Sequence, residues 1–292
     1  MPPGLLHEQF ILPPPALQDV IQYVVLLSVE EGGGPVVRTL LPTFQVVLLI
    51  NLGPPAYLWH EQPGLTPALP MTGIQVTAPL KRPLHYRLEA GTQLMAINFT
   101  LDGFYRLFHV PAEALTQVLT DPDELVAHWP FAQLWQQLAQ LAGPTALMHA
   151  LVAFCLPRLQ AREGAQAELM AHLPLLATHR HLNPLKAMAA ATHASERTLQ
   201  QRFQKYLGFS VKEATRFLRF RRLLGQLPAK PGAEPRPDWF QLLEQHGYYD
   251  QSHLIHDFAH FLQQSPTQVS WQLLQGDAIC FTRSELLNFT PA

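Results

Sequence analysis

The sequence predicts an α+β fold, with an N-terminal β-barrel that carries appended helices and an all-helical C-terminal domain. Short β-rich runs separated by proline and glycine turns fill roughly the first third of the chain. From Gly103 onward, apolar residues recur at helical spacing. Between Asn183 and Phe261, two helix-turn-helix patterns follow one another and are joined by a long arginine-rich helix.

The length and the distribution of charge also indicate two domains. Its 292 residues favour two domains, and 48% hydrophobic against 14% charged residues is enough apolar material for sizeable cores. Residues 1–176 hold 7 lysines and arginines against 13 aspartates and glutamates, whereas residues 177–275 hold 12 against 7. This division indicates that only the C-terminal part meets a polyanion, with chance segregation as the alternative on charge alone.

The N-terminal region contains six runs that are predicted to be strands. They are Tyr23–Val29, Val36–Leu41, Gln45–Asn51, Ile74–Ala78, His85–Leu88 and Leu94–Thr100. The run Gln45–Asn51 is continuously apolar in character, which is typical of a strand covered on both faces. Short strands with turn signals such as Pro54–Pro55 between them favour a small barrel or sandwich.

Four helices are predicted after the strands, at Gly103–Val110, Ala112–Leu119, Phe131–Leu141 and Thr145–Arg162. The apolar stripe of Phe131–Leu141 is either core or a partner surface, and such helices beside a barrel would suit a homodimer. Ala161–Gln166 is the predicted linker. The expected domains are therefore residues 1–165 and 172–271, followed by a tail at 272–292.

The first helix-turn-helix pattern occupies Pro184–Phe203. Ser195 is a good N-cap for its second helix, because the hydroxyl can accept from the free N–H groups of the next turn. That helix hides Leu199 and Phe203 and presents a polar face of Glu196, Arg197, Gln200, Gln201 and Lys205. Arginine and glutamine have the paired donors and acceptors that match guanine and adenine edges in the major groove of DNA.

A long helix, predicted at Val211–Leu227, leads to the second pattern. Its cationic residues Lys212, Arg219 and Arg222 are interpreted as phosphate contacts, with an ordinary solvated face as the alternative. Asp238 and Asp250 are placed to cap the two helices that follow. The second of these, Gln251–Leu262, is expected to expose Gln251, Ser252, His253, His256 and His260.

These segments resemble a known family. GYYDQSHLIHDFAHFLQQSP (Gly247–Pro266) closely resembles the signature that ends the DNA-binding domain of AraC-type bacterial transcription factors. Ser195–Ser210 resembles the first reading helix of that family and the segment after it. The resemblance implies two helix-turn-helix units that enter successive major grooves on one face of the DNA. The N-terminal region is more loosely similar to the cupin-like sensor barrels with helical dimerisation arms of such regulators.

Carried onto this chain, the resemblance assigns roles to nine residues. It implies that bases are read by Arg197, Gln200 and Gln201 in the first unit and by Gln251, Ser252 and His256 in the second. It implies backbone contacts for Lys205, Arg219 and Arg222. Independently of it, the barrel aromatics Tyr57, Trp59, Tyr86 and Phe99 are candidates to enclose a small-molecule effector, with ordinary core packing as the alternative.

The chain departs from the family pattern at three places. His193 stands in the first turn, where the family usually has glycine, and this is expected to strain or reshape the turn. Leu243 stands where a small residue is expected at a helix crossing. Pro228–Pro237 is an apparent insertion, which is expected to loosen the spacing of the two units and to leave the second as a weaker reader.

The sequence therefore predicts a DNA-binding transcriptional regulator controlled by a small-molecule effector. The expected partners are double-stranded DNA, the effector, a second copy in a homodimer and RNA polymerase, with no cofactor and no membrane. Cys155 and Cys280 form no spaced pattern and fit a reducing cytoplasm, and no signal peptide or apolar stretch of roughly 20 residues is visible.

Catalysis and metal binding are not expected. The barrel lacks the paired histidines and glutamate of a metal-dependent cupin enzyme, and no nucleophile motif is present. His253, His256 and His260 have a spacing that could hold a metal, but no carboxylate or cysteine completes the set on their face. Two alternatives remain: a cupin-like binding protein or isomerase with an accessory helical module, and an architectural DNA-binding protein that senses nothing.

Overall fold

The computed structural model describes residues 4–60, 68–162, 164–178, 184–227 and 237–275. Within these ranges, the N-terminal part forms an antiparallel sheet of eight strands. They are β1 (Leu6–Ile11), β2 (Ile21–Val29), β3 (Val36–Leu40), β4 (Val47–Trp59), β5 (Leu69–Thr77), β6 (Leu84–Leu88), β7 (Gln93–Phe99) and β8 (Leu119–Thr120). The predicted α+β class, with a β domain followed by a helical region, is confirmed.

The long strand β4 organises the sheet. The main order is β1-β2-β7-β4-β5-β8, and β6 pairs with the far end of β4 and with β3. All residues of Val47–Asn51 are buried, as expected for a strand covered on both faces. β4 does not end at Asn51, because a bulge carries it past Pro54–Pro55 to Trp59. The Asn51 Nδ2 stabilises this bulge by donating to the carbonyl oxygens of Pro54 at 2.8 Å and Met71 at 3.0 Å.

The N-terminal helices are α1 (Gly103–Phe108), α2 (Pro122–Leu125), α3 (Phe131–Ala139) and α4 (Pro144–Cys155). The predicted helix Ala112–Leu119 is wrong: a 3-10 turn covers Ala112–Ala114, and Leu119 and Thr120 pair with β5 as the short strand β8. The predicted helix Thr145–Arg162 stops early at Cys155. Pro157, which cannot donate a helical hydrogen bond, lies in the 3-10 turn that follows.

The predicted linker is anchored to the N-terminal part. The Asp102 carboxylate is fully buried and accepts from the Nε of Arg162 at 2.7 Å and from the Nε2 of Gln166 at 2.9 Å. Helix α5 (Gly164–His172) begins inside the predicted linker. Its Leu169 and Met170 belong to the core of the helical region, so that region begins before residue 172.

The remaining helices are α6 (Leu175–Thr178), α7 (Pro184–Thr192), α8 (Glu196–Leu207), α9 (Val211–Leu224), α10 (Trp239–His246), α11 (Gln251–Leu262) and α12 (Pro266–Gln275). Helix α12 was not predicted. Most of the apparent insertion, residues 228–236, and the tail at 276–292 lie outside the described residues, as does Cys280. None of the described helices is long and apolar enough to cross a bilayer.

Candidate nucleic-acid interface

The first unit consists of α7 and α8, and its cap forms as predicted. The Ser195 Oγ accepts from the backbone N–H of Thr198 at 3.0 Å, which satisfies one free donor of the first turn of α8. Leu199 and Phe203 are fully buried under this helix. The outward face of α8 exposes the four predicted DNA contacts of this unit, Arg197, Gln200, Gln201 and Lys205.

The turn of the first unit contains His193, where AraC-type domains usually have glycine. His193 lies between α7 and α8 with φ 49°, in the left-handed region that glycine adopts most easily. A non-glycine residue there costs on the order of 1–3 kcal/mol in backbone strain. The turn therefore keeps its shape at an energetic cost, and α8 still follows α7 with its apolar side inward.

Helix α9 connects the two units. It begins with a capping box in which the Glu213 N–H donates to the Ser210 Oγ at 3.1 Å and the Ser210 N–H donates to the Glu213 carboxylate at 2.7 Å. Burial acts to raise the pKa of Glu213, but the hydrogen bonds from Ser210 and the Lys81 ammonium, 3.0 Å from the carboxylate, together lower it. The helix ends at Leu224, one turn before the predicted Leu227.

The second unit consists of α10 and α11. Gly247 ends α10 at φ 68°, and the Asp250 carboxylate caps α11 by accepting from the His253 N–H at 2.7 Å. Helix α11 buries Leu254, Phe258 and Phe261. The predicted base-reading residues Gln251, Ser252 and His256 are all exposed. Leu243, the bulky residue at the crossing, is half-buried against the shared core.

A buried carboxylate joins α11 to α9. Asp257 is fully buried, and its two oxygens accept from the Nε of Arg216 at 2.5 Å and from an Nη of Arg219 at 3.1 Å. The Tyr248 hydroxyl donates to the same carboxylate at 2.9 Å, and burial followed by the Asp257 charge raises the pKa of Tyr248. The network fixes the second reading helix against the connecting helix.

The histidines of α11 have different surroundings. Burial lowers the pKa of His253 and of His260, and the nearby Arg219 and Arg216, respectively, lower them further. His253 is also within 2.8 Å of Arg219 through its Nε2. Among the described residues, no group of three histidine, cysteine or acidic side chains is arranged to hold a metal ion.

Comparison with known families gives the C-terminal region an identity. Residues 188–270, from α7 to α12, match the helix-turn-helix domain family. The C-terminal region is an AraC-type helix-turn-helix domain. Residues 9–121, which contain the sheet, match a domain of unknown function, DUF6597. No curated protein matches the chain significantly.

Solved structures of ToxT are similar in overall outline. ToxT from Vibrio cholerae O395 is 8% identical, with 94% of this chain and 98% of that chain covered and a TM-score of 0.40. ToxT bound to (E)-4-(8-methylnaphthalen-1-yl)but-3-enoic acid is 11% identical, with 91% and 99% covered and a TM-score of 0.41. At such values, no residue of this chain takes a role from these structures.

The three predicted backbone contacts of the AraC-type domain lie in different environments. The Lys205 ammonium lies over the rings of Tyr105 at 5.6 Å and Tyr206 at 5.2 Å. Arg219 is bound to the buried Asp257, and Arg222 is partly exposed on α9. Contact of each with phosphate stays a prediction, and Arg219 would have to leave a buried partner to make it.

The four aromatic effector candidates do not share one site. Tyr57 and Trp59 lie on one face of β4, whereas Tyr86 of β6 is paired with Leu58 and therefore lies on the opposite face of the sheet. Phe99 is fully buried on β7, in a different core where it packs against Phe104 and Phe108. Trp59 is 7% exposed, and its indole Nε1 is buried with no hydrogen-bond partner among the described residues.

The AraC-type domain has a contact with the sheet domain that the sequence did not predict. Leu41 and Phe44, from the loop between β3 and β4, belong to the hydrophobic core of the helical region. The Tyr105 ring of α1 meets the Tyr206 ring of α8 at 4.8 Å. No sequence pattern marks Phe44 as different from other apolar residues near β4, and only the tertiary structure reveals the contact.

Proposed function

We propose that this protein is a sequence-specific DNA-binding transcriptional regulator whose AraC-type domain reads two successive major grooves of one duplex. The observation that carries the proposal is the shared construction of α8 and α11. Each helix is capped, buries its apolar side and turns outward the polar residues assigned to base contacts. A helix of this kind, entering the major groove near its N-terminus, is how helix-turn-helix domains recognise sequence.

The residue roles form the finer part of this proposal. Arg197, Gln200 and Gln201 read bases from α8, because arginine and glutamine can bond to base edges in pairs. Gln251, Ser252 and His256 make the corresponding contacts from α11. Phosphate contacts from the basic C-terminal region, including Arg222, supply sequence-independent affinity.

We further propose that the sheet domain binds a small-molecule effector near Trp59. A buried N–H donor without a partner costs free energy, and an acceptor on a bound molecule would remove that cost. Such a ligand would shift the population between arrangements of the reading helices that fit or misfit the operator. Phe99 is left out of this site because it packs in the other core, and Tyr86 because it lies on the opposite face of the sheet from Trp59.

Selection of duplexes from a random library tests the DNA-binding proposal. The full chain should enrich a motif with two blocks about 10 base pairs apart, and a footprint should place both on one face of the duplex. The variant Gln200→Ala/Gln201→Ala should lose enrichment at the base positions that these two side chains read, while the positions read by Arg197 and by α11 stay enriched. Absence of any enriched motif with the wild-type chain would show that the proposal is wrong.

A thermal-shift screen of metabolites tests the effector proposal. A molecule that binds only the folded state raises the melting temperature by mass action. The control is Trp59→Phe, which removes the indole N–H and keeps an aromatic ring. A true effector at this site should stabilise the wild type and lose most of that effect in the variant.

A further inference from the structure

Phe44 is held in an unusual backbone conformation at the edge of the sheet domain. Its φ is 60°, in the left-handed region that non-glycine residues rarely adopt. The backbone N–H groups of Thr43 and Phe44 both donate to the carbonyl oxygen of Leu80 at 3.0 Å, which fixes the loop. The strained conformation directs the Phe44 ring out of its own domain and into the helical core, where it is 2% exposed.

The Phe44 ring contacts parts of both helix-turn-helix units. It stacks on Phe217, in the middle of α9, with ring centroids 4.2 Å apart. It meets Phe209, just after α8, edge-on at 5.0 Å, and Phe261 of α11 at 6.5 Å. A single side chain from the sheet domain thus bridges the end of the first reading helix, the connecting helix and the second reading helix.

Both reading helices also meet the sheet domain at their C-terminal ends. Gly208 ends α8 at φ 74°, so close to Pro79 that an added methyl group would lie 2.8 Å from its Cγ. Gln263 ends α11, and its Nε2 donates to the carbonyl oxygen of His60 at 3.0 Å. Pro79 is the neighbour of Leu80, whose carbonyl oxygen fixes the Phe44 loop, and the two contacts give the reading helices a common support on the sheet domain.

We propose that Phe44 is a positioning residue for DNA recognition. It fixes the relative placement of α8 and α11 and thereby selects the spacing between the two halves of the operator. It touches no base or phosphate itself. Without its ring, the core between Phe209, Phe217 and Phe261 has a cavity, and the two units can adopt more than one relative arrangement.

A distance measurement between the reading helices tests this without DNA. Spin labels are placed at Gln201→Cys and Ala259→Cys in the full chain carrying Cys280→Ser, since burial raises the pKa of the Cys155 thiol to about 12 and keeps it unreactive. The chain with Phe44 should give one narrow distance distribution. Phe44→Ala should give a broad one, and Phe44→Leu, which refills much of the space, should give an intermediate one.

The second readout is spacing preference on DNA, measured with unlabelled protein, and it rests on the proposed function. The wild type should discriminate about tenfold against an operator whose half-sites are moved by about 5 base pairs, half a helical turn. Phe44→Ala should reduce this to about twofold while preference within each half-site is retained. The matched control is Phe131→Ala, an equally buried ring in the sheet domain, which should lower the melting temperature without changing spacing preference.

The two readouts separate the two proposals. If the wild type selects no duplex, the proposed function is wrong, and the distance distributions alone decide the role of Phe44. Identical narrow distributions in the wild type and in folded Phe44→Ala and Phe44→Leu would overturn the positioning role. So would an unchanged spacing preference, or a loss of preference that Phe131→Ala reproduces.

Discussion

The two helix-turn-helix units have the same construction but differ in charge and support. The reading helix of the first unit exposes Arg197 and Lys205 among its polar residues. The reading helix of the second contains no lysine or arginine, and its exposed face combines Gln251, Ser252 and His256 with a 43% exposed Ile255. Under the proposed function, the first reading helix therefore brings exposed cations to the DNA and the second brings only neutral polar and apolar side chains.

The difference has a structural cause. The arginines nearest the second reading helix, Arg216 and Arg219, are bound to the buried carboxylate of Asp257. Arg219, which the sequence analysis assigns to phosphate, is thus used together with Arg216 to hold the second unit together. Counting basic residues in such a domain overestimates how many can face DNA.

The largest expected effect tests that internal role. Asp257→Asn would leave Arg216 and Arg219 without their buried counter-charge, and the free energy of unfolding should fall by about 3 kcal/mol, the lower end for a buried pair because both arginines are partly exposed. Chemical denaturation measures it. Glu244→Gln, at an exposed position on α10, is the control and should change stability by less than about 0.5 kcal/mol. Equal stabilities of the two variants would show that the network contributes little.

The next effect compares the two reading faces. Gln200→Ala should cost about 1–3 kcal/mol of binding free energy and relax preference at one base position. His256→Ala, the matched change in the second unit, should cost less than about 1 kcal/mol because its unit is the weaker reader. Titration against single-base operator variants measures both. A larger loss for His256→Ala would reverse the comparison, and no change in either variant would contradict the base-reading assignment.

A smaller effect, on the salt dependence of DNA binding, distinguishes Arg222 from Arg219 on α9. Arg222→Ala should weaken binding to all sequences and make the dependence of log K on log salt shallower by about one unit. Arg219→Gln should leave that slope unchanged and lower stability instead, because Arg219 is bound to Asp257. Salt titrations of both variants provide the measurement. An equal change of slope for Arg219→Gln would show that Arg219 contacts phosphate, as the sequence predicted.

The smallest effect is in the pH dependence of stability. The folded-state pKa values of His253 and His260 are lowered from 6.5, so the unfolded chain binds more protons just below that pH. The contribution of the two neutral histidines to the free energy of unfolding is therefore complete above pH 6.5 and is lost as the pH falls below it. His253→Gln/His260→Gln should flatten this decline relative to the wild type. His149→Gln, at an exposed position of α4, is the control for losing a histidine and should retain the wild-type decline.

The sequence predicted most of the helical domain because its signals are local. Ser195, Asp238 and Asp250 each accept the predicted capping hydrogen bond. His193, which was expected to strain or reshape the first turn, has a left-handed backbone. Such features depend on residues within one turn of each other. The sequence could not show that Phe99 packs in a different core from the other effector candidates. Its surroundings depend on which core its residues of β7 face, and that is set by distant strands and helices.

Non-local pairing explains the errors in the sheet domain. Leu119 was assigned to a helix and instead pairs with β5, over 40 residues earlier in the chain. β4 was expected to end at Asn51, but the bulge at Pro54–Pro55 depends on Met71 of a neighbouring strand. The contacts of Phe44 with α9 and α11 likewise join residues far apart in sequence, and no periodicity reports them.

The close approach of Gly208 to Pro79 has a consequence for evolution and engineering. An alanine at Gly208 would strain the backbone and clash with Pro79, and the ring of Phe44 needs the space that it fills among aromatic rings of the helical domain. The two halves of this chain are therefore not interchangeable modules. A chimaera that joins a foreign N-terminal domain to this AraC-type domain must leave the close space that Gly208 needs and supply an aromatic side chain in the place of Phe44. Without them, we expect α8 and α11 to take a different relative placement.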